Sequence, residues 1–148
     1  MSTAVVRERA ATLGRAAYAV LFLVALPVSL AAWMVRLDAV LALPRVGSPE
    51  AGVVVACCGG LLMLAATHAL WTRGRGLPMS PYPPALLVTS GVYRLVPDPI
   101  YVGAVLVCAG AALIRGSSSG LWIVTPLLAA SAAAFVLGYE RDATRTRF

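Results

Sequence analysis

Lysine is absent from this chain and charge of either sign is scarce. Only 12% of the 148 residues are charged, against about a quarter in an ordinary soluble domain. So few charges cannot cover a water-facing surface on a chain that is 60% hydrophobic, which excludes a soluble domain as the default and points to an integral membrane protein. The net charge of +6 comes entirely from twelve Arg. They sit singly or in pairs at the ends of apolar runs, where a membrane protein keeps them, and not in a nucleic-acid-binding patch. Metal ligands are equally scarce. One His and three Cys without CxxC spacing exclude a zinc site, so Cys57, Cys58 and Cys108 are expected to be small buried hydrophobes.

What is present are four uncharged windows: residues 16–35, 51–72, 99–114 and 121–139. Twenty helical residues cross about 30 Å of hydrocarbon, so the first, second and fourth windows are long enough to span a bilayer. The third is short and is expected to start in the headgroup layer. Arg7, Arg9 and Arg15 precede the first window as in a signal peptide, but its twenty-residue length exceeds a cleavable apolar region and predicts an anchor. Pro27 is expected to kink that helix. The prediction is an all-α integral membrane protein, a single membrane domain over 1–148, with four transmembrane helices and a Pro-rich cytoplasmic loop between the second and third.

Arg counts orient it. With the N-terminus in the cytoplasm, nine Arg lie inside and only Arg36, Arg45 and Arg115 outside. Both termini and the 73–98 loop then share the cytoplasmic face. Gly59, Gly60, Gly103, Ala104, Gly110 and Ala129–Ala134 offer small surfaces that allow close helix approach in lipid, or reflect an alanine-rich composition. The loop Arg73-Gly74-Arg75-Gly76-Leu77-Pro78-Met79-Ser80-Pro81-Tyr82-Pro83-Pro84 is stiff and extended, a strap along the surface. Gly116-Ser117-Ser118-Ser119-Gly120 reads as a turn. His68 lies near the cytoplasmic end of the second window, as an interfacial or a functional residue.

One stretch concentrates polar chemistry: Ser90-Gly91-Val92-Tyr93-Arg94-Leu95-Val96-Pro97-Asp98-Pro99-Ile100-Tyr101-Val102-Gly103. Each residue before a proline, Val96 and Asp98, is pushed away from helix, so a bend is expected there. Together with Gly76-Leu77-Pro78, Pro83-Pro84 and Leu87-Val88, this stretch resembles the bacterial isoprenylcysteine carboxyl methyltransferase family, which is related to phospholipid N-methyltransferases. The resemblance covers about Thr72 to Phe148, with the motifs in 73–148. The family motif reads Tyr-Arg-x-x-Arg-(His or Asn)-Pro-x-Tyr-x-Gly. Tyr93, Arg94, Pro99, Tyr101 and Gly103 match it, while Pro97 and Asp98 stand where Arg and His or Asn are usual. The family's Glu pair after the last helix is Glu140-Arg141 here, and the chain stops at Phe148, before the aromatic tail that family members usually carry.

The resemblance implies small multi-span enzymes using S-adenosylmethionine at the cytoplasmic face of a bacterial-type plasma membrane. The implied acceptor is a lipophilic carboxylate or amine, a small molecule or a lipid-modified one. Tyr93, Arg94, Asp98, Pro99, Tyr101, Gly103 and Glu140 are the implied cofactor-binding residues, with no catalytic residue assigned and no metal. A guanidinium at Arg94 suits the cofactor carboxylate, or anchors at headgroup level. Glu140 suits cofactor hydroxyls or amine, or is a solvated helix-end residue. Tyr93 and Tyr101 line a pocket or mark the interface. Asp98 is expected to neutralise Arg94 or Arg75. The departures at Pro97, Asp98 and Arg141 define the alternative, a non-catalytic membrane relative serving as a structural or partner subunit.

Overall fold

The computed structural model describes residues 20–74, 91–96 and 98–140, together with residues 13, 14 and 17. Residues 75–90, which include most of the expected Pro-rich strap over 73–84, together with Pro97 and the residues after Glu140, lie outside the described residues. Every described element is a helix. The first, α1, joins a π-type turn, Leu21–Ala25, to an α-helix, Leu26–Val40. The proline at position 27 cannot donate to the helical ladder and crowds the carbonyl four residues back. The wide turn just before it absorbs that conflict, so the helix continues instead of breaking. It also runs past Arg36 to Val40, one turn beyond the predicted end at residue 35, because a charge at the interface ends an apolar window without ending a helix.

After the connection over 41–48, α2 runs from Pro49–Ala69 into a π-type turn, Leu70–Gly74. Its start follows from three consecutive residues. Ser48 Oγ accepts the Ala51 N–H at 3.3 Å, Pro49 has no N–H to leave unpaired, and Glu50 places a carboxylate in the first turn. A single turn, α3 (Val92–Leu95), precedes α4 (Pro99–Arg115). At the end of α4, Gly116 takes a left-handed φ of 62°, and Ser117 N–H returns to Ala112 O at 2.9 Å. The last helix, α5, is built from Gly120–Val124, Thr125–Phe135 and Val136–Glu140, the outer two segments being π-type. Its first wide turn again precedes a proline, Pro126, and Thr125 Oγ1 donates to Gly120 O at 2.8 Å.

Helices α2 and α4 are antiparallel and packed backbone to backbone. A Cβ placed on Gly59 would lie 2.6 Å from Gly103 O, and one on Gly103 would lie 2.7 Å from Gly59 O. Further along, a Cβ on Gly110 would meet Ala56 N at 2.6 Å, and one on Gly52 would meet Ile114 N at 2.7 Å. The small residues therefore set the helix separation at these positions. Gly60 is different, with nothing near its missing Cβ, and plays no part in this seam.

On its other side α4 meets α5 and α1 in a core of Met34, Cys108, Ala112 and Val124, flanked by Leu30, Leu37, Leu121 and Leu128. Cys108 is buried as expected. Cys57 and Cys58 are exposed, because their positions on α2 turn away from the seam.

The Ser117-Ser118-Ser119 segment is more than a linker. It is buried and ties α1 to α5: Ser119 Oγ donates to Asp38 Oδ1 at 2.6 Å and Ser118 Oγ to Pro44 O at 2.6 Å. Pro49–Ala69 and Gly120–Gly138 are long and apolar enough to cross a membrane, and α4 is apolar but shorter. Val53, Val54, Leu61 and Leu64 of α2, and Trp122, Leu127 and Leu137 of α5, are exposed. A bilayer covers such surfaces; water does not favour them.

Candidate functional site at the end of the helix pair

The motif residues gather where the C-terminal end of α2 meets α3 and the start of α4. Ala66, Leu70 and Ile100 form a small buried cluster there, and Val92 and Tyr93 pack on it half-buried. Gly91 opens the corner with φ 70° and ψ −132°, a conformation that side-chain-bearing residues rarely adopt. Its carbonyl accepts the Arg94 N–H at 3.1 Å, and the Arg94 side chain is exposed.

The backbone then leaves helix twice. Val96 is extended (φ −129°, ψ 120°), and Asp98 has φ −127° and ψ 66°. Both precede proline, whose ring disfavours helical geometry in the residue before it. Pro99 is fully buried at the first position of α4. Asp98 precedes it as the cap residue, half-buried, and its carboxylate makes no capping bond. The expected Asp98–Arg94 pair does not form. Among the described residues neither side chain enters an ion pair, since the two backbone breaks deny them the spacing of a continuous helix. The other expected partner, Arg75, lies outside the described residues.

Tyr101, in the first turn of α4, is half-buried, and its ring centroid lies 6.3 Å from that of Phe135 on α5 at an interplanar angle of 51°. This contact brings the lower part of α5 to the same corner. Position 140 ends the described part of α5, five residues beyond Phe135 at that end. Gly103 lies deeper, inside the seam against Gly59 and Met63, so its lack of a side chain serves helix approach.

Two features escaped sequence reasoning. Arg73 counted only as one of the inward-facing cations, yet its Nη1 is 3.2 Å from where a Gly91 Cβ would stand. The available signal was its place seven residues after Ala66, which follows Gly59 and Gly52 at the same interval. At the far end, Asp38 was not singled out, although an acid one turn beyond an apolar window needs a partner. Burial disfavours its charge, but hydrogen bonds from Ser117, the Ser119 hydroxyl and the Ser119 N–H, with the Arg115 charge, outweigh that and hold it below its ordinary 3.8.

The corner thus offers two exposed arginines, Arg73 and Arg94, one uncapped carboxylate and flanking aromatics. No cluster of His, Cys, Asp or Glu able to hold a metal ion occurs among the described residues. The donor set fits a zwitterionic organic ligand.

Comparison with protein families matches the phospholipid methyltransferase model over residues 49–148. The match starts at the first turn of α2, so it takes in the second helix, which by motif resemblance had stood outside. No match was found among curated proteins or among solved structures. With two thirds of its length matched, the chain belongs to the phospholipid methyltransferase family.

Proposed function

We propose that the protein transfers a methyl group from S-adenosylmethionine to a lipophilic carboxylate or amine at the cytoplasmic face of the membrane. The observation that carries this is the corner at which Arg94 and Asp98 stand close in sequence, beside the α2–α4 pair, without spending their charges on each other. When bound, the cofactor supplies an activated methyl on a sulfonium, so the protein's task is to bind, align and exclude water. Arg94 would hold the cofactor carboxylate through paired, charge-assisted bonds. Asp98 would accept from its amine, and Glu140 from its amine or ribose hydroxyls. Tyr93 and Tyr101 would flank it, with Pro99 and Gly103 fixing the helix on which they stand. A carboxylate acceptor needs no general base, so the absence of His at position 98 leaves the chemistry possible.

The membrane setting is a single domain with four spans, both termini in the cytoplasm of a bacterial-type plasma membrane. Support comes from the Arg distribution, and from α1 being fastened to the family module through Asp38 and Ser119. A second reading, a non-catalytic relative acting as a structural or partner subunit, is favoured by Asp98 at the position usually held by His or Asn. Calorimetric titration of the detergent-purified protein with S-adenosylhomocysteine separates them. Binding supports the enzyme, and absence of heat at millimolar ligand supports the non-catalytic subunit.

A further inference from the structure

The end of the helix bundle opposite the motif corner carries Arg36, Arg45 and Arg115, which the proposed chemistry does not use. The connection over 41–48 folds onto the segment between α4 and α5. Ser118 Oγ donates to Pro44 O at 2.6 Å, and a Cβ on Gly47 would lie 2.9 Å from Gly116 Cα. Arg45 stands between Pro44 and Gly47, and Arg115 directly precedes Gly116. Asp38, held by Ser119, brings in the last turns of α1, where Arg36 lies two residues earlier. All three arginines are exposed, and among the described residues none makes an ion pair or a side-chain hydrogen bond.

Asp38 and Glu50 share this end, and both are committed elsewhere. Asp38 Oδ1 accepts the Ser119 N–H at 2.9 Å at the start of α5, and the Arg115 charge reaches it only through space. Ser48 Oγ donates to Glu50 Oε2 at 3.4 Å in the first turn of α2. Each carboxylate thus stands at the positive end of a helix dipole, which favours it without a cation. The arginines are left without a protein anion.

Tryptophan marks what surrounds them. Trp33 lies one turn before Arg36 on α1, and Trp122 lies three residues after Ser119 on α5; they are 57% and 61% exposed. Exposed indoles on apolar helices belong at the boundary between hydrocarbon and headgroups. From that level Gly120–Gly138 extends about 28 Å, one hydrocarbon thickness, toward the motif corner. The arginines therefore stand at headgroup level on the opposite face.

We propose that this end is a docking surface for anionic phospholipid, with Arg36, Arg45 and Arg115 taking the headgroup phosphates. A guanidinium pairs with a phosphate through parallel, charge-assisted bonds, and each arginine near an anionic membrane surface adds to the attraction. The three belong to α1, the connection and α4, so bound headgroups brace the segment before residue 49 against the part that matches the family model. The surface does not depend on methyl transfer and serves whichever side of the membrane it faces.

The test uses the full-length protein carrying Trp71→Phe, so that Trp33 and Trp122 report from this end. It is placed in nanodiscs of mixed phosphatidylcholine and phosphatidylglycerol, with either lipid brominated near its headgroup in turn, and quenching of tryptophan fluorescence is measured. Brominated phosphatidylglycerol is expected to quench more, a relative affinity about fivefold in its favour, one arginine's share of the attraction. Changing Arg36, Arg45 and Arg115 together to Gln should bring the two lipids level. Arg45→Gln alone, outside any helix, should remove part of the preference and decides the matter if the triple variant does not fold. Arg94→Gln, at the opposite end, should leave the preference unchanged. Equal quenching by the two lipids before any arginine is changed, or a preference that survives these arginine substitutions undiminished, would overturn the proposal. So would its loss on adding inorganic phosphate at matched ionic strength, which would make the surface a site for free anions.

Discussion

Ser119 binds Asp38 twice, its hydroxyl donating to Oδ1 at 2.6 Å and its N–H to the same oxygen at 2.9 Å. The pair joins the last turn of α1 to the residue that caps the start of α5, across 81 residues of chain. Ser119 is fully buried, and its truncation removes the hydroxyl contacts with Asp38 Oδ1 and Met34 O, leaving only its N–H on the carboxylate. Ser119→Ala should lower stability by about 1–2 kcal/mol, read as a reduced thermal midpoint in detergent. An unchanged midpoint would mean that α1 is not held by this contact.

Asp38 also sets a pH dependence. Its folded value is depressed below 3.8, so its contribution to stability is fully present above that pH and is lost as pH falls through the lower folded value. Thermal midpoints of wild type and Asp38→Asn should therefore differ by a constant amount near neutral pH and converge in strong acid. Curves that diverge on acidification would contradict the direction of the shift.

The two neighbouring glycines of α2 should behave oppositely. Gly59→Ala drives a Cβ to within 2.6 Å of the Gly103 carbonyl, backbone that can yield only by separating the helices. It should cost about 1–3 kcal/mol. Gly60→Ala enters open space and removes a helix-interior glycine, so it should be neutral or stabilising by up to about 1 kcal/mol. Denaturation of the two variants side by side checks this.

Phe135 should matter beyond its surface area. Its 6.3 Å contact with Tyr101 draws the end of α5 to the motif corner. Phe135→Ala should lose about 0.5–1.5 kcal/mol of aromatic pairing and weaken S-adenosylhomocysteine binding, whereas Phe135→Tyr, which keeps the ring, should retain most of both. Calorimetry on the two variants distinguishes a lost ring from a general defect.

Much of the helical frame was readable from hydropathy alone, because uncharged windows are set by the cost of placing charge in lipid. The windows at 51–72, 99–114 and 121–139 fall within two residues of the ends of α2, α4 and α5. The end of α1 was not readable, since Arg36 closed the window while the backbone continued to Val40. The bend at Val96 and Asp98 was readable, because proline acts on its neighbour locally. What stayed hidden depends on contacts between distant residues: the Asp38–Ser119 link, the separation of Asp98 from Arg94, and the approach of Arg73 to Gly91. No local pattern encodes which of two charges three or four positions apart will meet once the backbone breaks between them.

The central claim is methyl transfer to a lipophilic acceptor. It is tested most directly by incubating membranes that contain the protein with S-adenosylmethionine carrying a labelled methyl group, then counting label in the organic-solvent extract. Label in the extract should exceed that of membranes lacking the protein and fall at least about tenfold with Arg94→Gln at limiting cofactor. Equal label with and without the protein would contradict it.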